Sequence, residues 1–576
     1  MVHFSTFPFS TAVIRTLLPV LLLAFRLPVS AQAPAWQSVR AVAVATAAAA
    51  NPFSQVTATA VDAAGNVYLA GNFQSSVVLG GTTLTSLGRD EVFVTKFSPA
   101  TNQFVWAQRA GGAGYDQATA LAVSGTSVYV AGRFDSPTAD FGPTTLANAA
   151  GGGFNAFVAK LTDAGPTGSF VWAQGVGDIG NDAAAALALS GPSVYVAGTA
   201  SGPTAFGPVT LAASGVFVAK LTDAGNTGDF VWAQGSVGSG GNDYATALAA
   251  RGTSVYVAGT FGSRTVRFGT TTLLNAGTTS MASGDAFVAK LTDAGNTGSF
   301  GWAQGVGSTG QDDASALAVN GTSVYMTGGY GGPTAFGPVT LAAYGVFVAK
   351  LTDAGNTGGF VWAQRAGVGT GLGYIGTSAL AVSGPSVYVA GSFANATASF
   401  GATTLTNGHF DGITPELFVA KLTDAGPTGS FGWAQGAGGP GQDVAYALAL
   451  SGPNVYVTGF FKGPTASFGS IVLTNPTPNK PLGYLATLTD PTLTATAAGR
   501  APAPAQLFPN PAGHAATLRL PPGAAPAPLV LTDALGRAVR RYPAPAGPEV
   551  ALDLRGLPAG LYLLRGAGPA QRLVVE

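Results

Sequence analysis

Two rows of charged residues recur along this 576-residue chain, and each could do chemistry. Asp116, Asp182, Asp243, Asp312 and Asp443 each stand five residues before a leucine, with Gln55 and Ile375 in the matching places of two further copies. Such carboxylates ringing a channel mouth would suit a cation or a polar ligand. Alternatively, each Asp caps its own Gly-rich turn by accepting backbone N–H groups. Lys96, Lys160, Lys220, Lys290, Lys350 and Lys421 hold one position of a second recurrent segment. A basic stripe would bind anions. Alternatively, each stem covers apolar surface and each ammonium meets a carboxylate in a neighbouring unit.

Other reactive groups are sparse. There is no Cys, and His3, His409 and His514 are the only histidines, which argues against thiolate metal sites, a Cys nucleophile and His-rich chemistry. No Ser/His/Asp triad can be assembled. A glycosidase needs two positioned carboxylates, for which Asp135 with Asp140, Asp285, and Asp411 with Glu416 are the non-repeated candidates. The Thr-Asp-Ala-Gly segments at Asp163, Asp223, Asp293, Asp353 and Asp424 lack the acidic ladder of a calcium loop and read as hairpin turns. The expectation is a non-enzyme without cofactor or metal. A net charge of zero removes the electrostatic case for nucleic acid.

The elements that carry these residues repeat. Trp36, Trp106, Trp172, Trp232, Trp302, Trp362 and Trp433 are spaced by 60 to 71 residues. A Val-Tyr marker (Tyr68, Tyr129, Tyr195, Tyr256, Tyr325, Tyr388, Tyr456) also counts seven. A third marker, Phe-Gly with Leu five residues after the Phe, runs from Phe141 to Phe468 in six copies, and Leu79/Leu84 stands in the first. One unit reads as four strands: 119–123, 127–132, 156–161 and 169–174, joined by Gly- and Asp-bearing turns. No stretch has a helical period, and a hydrophobic fraction of 47% supplies a core.

A lone four-stranded sheet cannot bury both faces and must stack on its neighbours. The repeat region opens with an isolated fourth strand near residues 35–39 and closes with an isolated third strand at 484–488. These complete one unit only if the ends meet. The fold class expected is therefore all-β: a seven-bladed β-propeller over 32–490, with a small C-terminal Ig-like β-sandwich over 507–576 and a Pro/Ala-rich linker at 491–506. The 2–3 and 4–1 connections fall on one face of such a ring. Their variable lengths, as at 274–284 and 407–416, make that face the expected binding face.

The string ALAV…VYVAG…FVAKLTDAG…FVWAQ resembles the bacterial β-propeller repeat called SBBP, over about residues 35–490. That resemblance implies fold and says little of activity. The tail resembles the type A C-terminal sorting domain of the type IX secretion system. It does so through Phe508-Pro509-Asn510-Pro511, the Asp533 to Gly536 turn, the segment containing Gly560 and Tyr562, and terminal Arg572-Leu573-Val574-Val575-Glu576. Arg572 stands where Lys is common. Residues 1–31, with Arg15, an apolar stretch from Leu17 to Phe25 and small residues before Ala31, read as a secretory signal peptide. No later stretch is apolar and long enough to span a bilayer.

The resemblance implies a Gram-negative bacterium of the Bacteroidetes type. Its partners would be the type IX machinery and a sortase-like peptidase, and its destination the medium or the outer-membrane cell surface. The expected function is a non-enzymatic binding or adhesion scaffold with a glycan or protein ligand. The alternatives are a secreted carbohydrate-active enzyme and a structural surface-layer component.

Overall fold

The computed structural model describes residues 33–45, 52–148, 153–177, 180–277, 283–370, 373–493, 506–520, 528–533, 537–543, 547, 549–565 and 571–576. The leader reading at 1–31, most of the linker and Gly536 lie outside them. The described residues form no helix.

Between residues 36 and 489 they form seven four-stranded antiparallel sheets, an all-β, propeller-like arrangement. In the second sheet the strands are Asp116–Ser124, Ser127–Phe134, Asn155–Asp163 and Gly168–Val176, each paired to the next in sequence order. The first sheet spans 53–110; the third to sixth span 183–235, 243–306, 316–366 and 375–437. The seventh is built from both ends of this region. Asp443–Ser451, Asn454–Phe461 and Leu482–Thr489 are completed by Trp36–Val42, with Ala41 opposite Tyr484. The first strand of each sheet packs beside that of the next, and the seventh packs beside the first.

The middle strands carry the burial. Val128 to Gly132 and Ala156 to Leu161 are closed to solvent on both faces, because each sheet is covered by a sheet on either side. First strands are richer in Ala, and six of the seven contain a β-bulge, at Thr57, Thr119, Ala185, Thr246, Ser378 and Tyr446. The bulge brings strand one against strand two so closely that only Gly fits opposite. A Cβ on Gly132 would lie 1.9 Å from the Gln117 carbonyl oxygen.

The Phe-Gly inserts are more than connections. Each forms a small hairpin of its own, such as Thr138–Phe141 with Thr144–Ala147, turning at Gly142 with φ near 60°. Phe141 packs against Phe157 and, edge-on, against Phe170, so the hairpin leans on the outer half of its own sheet.

The C-terminal residues form two further sheets. Gln506–Phe508, Ala515–Arg519 and Glu549–Asp553 make one; Ala538–Tyr542, Leu529–Asp533, Gly560–Arg565 and Gln571–Val575 make the other. Leu518, Leu531, Leu552, Leu564 and Leu573 are fully buried in a separate apolar cluster. Alternation along these short strands places one face of each sheet in that cluster.

Candidate functional site

The recurrent aspartates sit inside the loops, not in open solvent: all five are at most 4% exposed. Asp116 accepts from the Gly112 N–H at 2.6 Å and from Ser136 Oγ at 2.7 Å. Asp182 accepts from the Ser201 N–H, Asp243 from the Ser263 N–H and Oγ, and Asp312 from the Ser308 N–H and Oγ. Asp443 accepts from the Gly439 N–H at 2.9 Å, and among the described residues its other oxygen has no partner. The donors to Asp116, Asp312 and Asp443 include N–H groups of their own 4–1 connection, and those of Asp182 and Asp243 named here come from the 2–3 connection of the same sheet. In the first sheet the equivalent position is Ser54, opposite Phe73, not Gln55; its Oγ donates to the Val42 carbonyl. Ile375 does occupy the equivalent place, opposite Phe393.

Burial, opposed by donors from Ser136 and Gly112, raises the Asp116 carboxyl, and the same cause raises Asp243 and Asp312. Burial pushes Asp443 furthest, up to about 8, with Glu416 nearby adding to the rise. Folding therefore favours protonated Asp443, and stability falls as pH rises from the ordinary 3.8 through about 8. Asp443→Asn keeps an acceptor for Gly439 and removes that slope. It is expected to raise the melting temperature by several degrees at pH 9, roughly 1–3 kcal/mol, and to have little effect at pH 4. Thermal melts across this range check it; equal pH slopes in both proteins would contradict it.

The non-repeated acids also serve their own loops. Asp135 accepts from the Tyr115 N–H, Asp140 from Thr145 Oγ1 at 2.7 Å and Asp285 from the Ala276 N–H at 2.7 Å. Asp411 accepts from the Ile413 N–H, and Glu416 from the Gly408 N–H, both at 2.9 Å, with His409 Nδ1 3.6 Å from Glu416. Among the described residues, no group of three or more His, Asp or Glu could hold a metal ion, and no helix is long and apolar enough to cross a membrane.

What opens near the ring axis is a different set. A cavity of about 360 Å³ is lined by first and second strands of five sheets, with Asn72, Gln117, Thr119, Arg133, Ser378 and Tyr446 as its main polar groups. Arg133 donates through Nε and a terminal nitrogen to Gln117 Oε1, at 3.0 and 2.8 Å, and lies over the Phe154 ring. Asn72 accepts from the Ala118 N–H at 2.8 Å. The bulged Thr119 passes its hydroxyl to the Ala184 carbonyl of the next sheet. This is a hydrogen-bonding surface with one positive charge, the Arg133 guanidinium, and one aromatic ring, that of Tyr446. The sequence carried its signal in the spacing of five between Asp and Leu. Two residues facing the same way along a regular strand are an even number apart, so an odd spacing requires a bulge, which exposes Thr119 and its counterparts.

The lysines meet the Thr-Asp-Ala-Gly turns. Asp163 of the second sheet accepts Lys96 Nζ at 2.6 Å, the Tyr68 hydroxyl at 2.6 Å and the Trp106 indole N–H at 3.0 Å, all from the first sheet. Asp223, Asp293, Asp353 and Asp424 receive the same three donors from the sheet before, the lysines being Lys160, Lys220, Lys290 and Lys350. Asp490 receives Lys421 and Tyr388. The seventh interface, from the last sheet to the first, has Thr487 in place of Lys and Asn102 in a turn without Asp; there Arg40 lies over Phe97. Reading these turns only as hairpins misses their role as acceptors.

In the C-terminal sheets the motif residues come together. Asn510 donates through Nδ2 to the Arg572 carbonyl at 2.7 Å and accepts the Val574 N–H at 2.9 Å, so it clamps the last strand. Phe508 is half exposed beneath the Arg519 guanidinium, Tyr562 donates to the Pro558 carbonyl, and Val575 is buried. Pro509 and Pro511 flank Asn510, and Gly560 begins the strand that holds Tyr562.

No family model and no curated protein matches the chain. Among solved structures it is similar to a computationally designed protein, Ika8, with 12% identity over 78% of this chain and 100% of that one, at a TM-score of 0.32. A protein of unknown function from Dyadobacter fermentans gives 12% identity over 78% and 99%, also at 0.32. The Bombyx mori GH32 β-fructofuranosidase BmSUC1 gives 8% identity over 76% and 91%, at 0.26. At TM-scores this low the three carry no argument about activity.

Proposed function

We propose that this chain is an exported, non-enzymatic seven-bladed β-propeller of SBBP-type repeats that binds a polar extracellular ligand, glycan or protein, on its variable-loop face. The observation that carries the reading is the axial cavity. It presents Gln117, Arg133, Asn72 and Tyr446, while the nearby acids are spent on loop caps. Amide, guanidinium and aromatic groups on a stiff ring suit recognition of hydroxyls and carbonyls. A glycan array probed with the purified chain tests it. Arg133→Ala is expected to weaken binding at least tenfold with an unchanged melting temperature, since Arg133 is only part-buried. Hydrolysis of a bound polysaccharide by the wild type would favour the enzymatic alternative.

The delivery route we propose is type IX secretion, with the C-terminal Ig-like sandwich as the sorting signal. Support comes from the motif order and from the way Asn510 joins the first motif to the terminal strand. Expressed in a host with that system, the extracellular protein is expected to lack residues beyond about 506 by mass spectrometry. An intact C-terminal module on the exported species would overturn this route.

A further inference from the structure

Ring closure leaves one inter-sheet clasp unfinished. In five interfaces the Asp-Ala-Gly turn continues to a second glycine, which lies flat on the tryptophan of the preceding sheet. A Cβ on Gly168, Gly228, Gly298, Gly358 or Gly429 would come within about 3 Å of Trp106, Trp172, Trp232, Trp302 or Trp362. In four of these turns the first glycine also offers its carbonyl to the lysine, as Gly295 does to Lys220 at 2.9 Å. The seventh sheet has no such turn, because its fourth strand comes from the other end of the region. The chain there runs Asp490-Pro491-Thr492 to buried Leu493.

The consequence is a cavity of about 590 Å³ between the sixth and seventh sheets, lined by Trp433, Lys421, Asp490, Thr492, Pro385 and Pro34. Asp490 is engaged as its counterparts are, by Lys421 and Tyr388. Its second oxygen elsewhere receives the indole N–H together with the first glycine's N–H; here the Thr492 N–H, at 2.9 Å, stands for the glycine's and the Thr492 hydroxyl, at 2.7 Å, takes the remaining place. Lys421 turns its other donor to Thr492 Oγ1. Among the described residues the Trp433 indole N–H has no hydrogen-bond partner, whereas Trp106, Trp172, Trp232, Trp302 and Trp362 all donate to an aspartate.

We propose that this cavity is a binding site for a glycine-containing turn or extended peptide segment of a partner protein. The molecule displays the occupant of the equivalent place five times. It is a short backbone stretch with a glycine flat against the indole and, in four of the five, a glycine carbonyl bonded to the lysine. A free peptide would supply the missing acceptor to Trp433. The inference goes beyond the proposed loop-face binding and does not depend on it, since the cavity lies among the 3–4 connections, at the other end of the strands.

The test uses the full chain labelled with 5-fluorotryptophan, whose seven ¹⁹F signals are assigned by single Trp→Phe variants. The probe is the capped peptide Ala-Gly-Asn-Thr-Gly-Ser, the sequence of residues 294–299. Titration to 5 mM, roughly the range of weak single-site peptide binding, is expected to shift the Trp433 signal and leave the other six. A peptide with Val at its second Gly should bind at least tenfold more weakly. No shift, a shift of all seven signals, or equal binding of the Val peptide would overturn the proposal. So would a Trp433 signal already matching the five clasped tryptophans without peptide, because the chain's own flanks would then fill the cavity. Asp229→Asn, at an exposed place on the fourth strand of the third sheet, serves as the neutral control.

Discussion

A chain lacking residues 33–45 is expected to lose cooperative folding of the repeat region altogether. Trp36–Val42 is the fourth strand of the seventh sheet, and without it the edge of Leu482–Thr489 is left bare. Trp36 is 5% exposed, packs edge-on to Phe468 at 5.2 Å and donates its indole N–H to the Gly436 carbonyl of the sixth sheet. Trp36→Ala alone should cost about 3–5 kcal/mol. Loss of the whole strand, with buried Val42 and the ladder, should approach ~10 kcal/mol, comparable to the entire stability of an ordinary domain.

The seventh sheet also faces the first across an interface that, among the described residues, has no ion-pair clasp, so opening is expected to begin there. Hydrogen exchange should find amides of 482–489 less protected than those of 285–293, at the clasped fourth sheet. A permutant restores the strand by attaching residues 33–45 after Asp490 through Ala-Gly-Asn-Thr-Gly, and should fold and melt at or above the full chain. A truncated chain with an unchanged urea transition would contradict the closure argument.

The repeat count was legible because Trp, Val-Tyr and Phe-Gly each hold one place in a fixed register, and side chains in one register must meet the same surroundings. The Phe-Gly hairpins were not legible as strands: three or four residues on either side of a Gly look like a loop. The acceptors of the clasps were hidden for another reason. Tyr68, Lys96 and Trp106 belong to one unit and Asp163 to the next, so no local spacing links donor to acceptor. The link survives only as two rows offset by one repeat, and Asp490 drops out of the second row because the Ala-Gly after it is replaced by Pro491-Thr492.

The axial surface was misplaced by a bulge. Counting back five from the leucine finds buried Asp116, while Gln117 and Thr119 face the cavity. In the first unit, which has no leucine there, the same count lands one residue off, on Gln55.

Asp293→Ala is expected to destabilise the ring by about 3–5 kcal/mol, the cost of leaving a buried cation without its partner. Lys220 lies 2.7 Å from the Asp293 carboxylate and is 7% exposed, and the Tyr195 hydroxyl and Trp232 indole N–H share that acceptor at 2.6 and 3.1 Å. One substitution therefore takes the shared acceptor from three donors between the third and fourth sheets and leaves Lys220 with the Gly295 carbonyl alone. Asp293→Asn retains an acceptor and should cost about half as much. Lys220→Met added to Asp293→Ala should recover part of the loss, a positive coupling in a double-mutant cycle.

The pH dependence runs opposite to that of Asp443. Burial pushes the Asp293 carboxyl up, but Lys220, Tyr195, Trp232 and the Gly295 N–H outweigh it and hold the group below its ordinary 3.8. Folding favours the charged form, so its contribution is complete above the ordinary value and is lost as pH falls through the lowered one. The gap between wild type and Asp293→Asn should be widest near pH 7 and close in strong acid. A gap that stays constant from pH 7 to pH 2, or a melting temperature unmoved by Asp293→Ala, would mean that packing of the aromatic neighbours, and not the shared carboxylate, binds one sheet to the next.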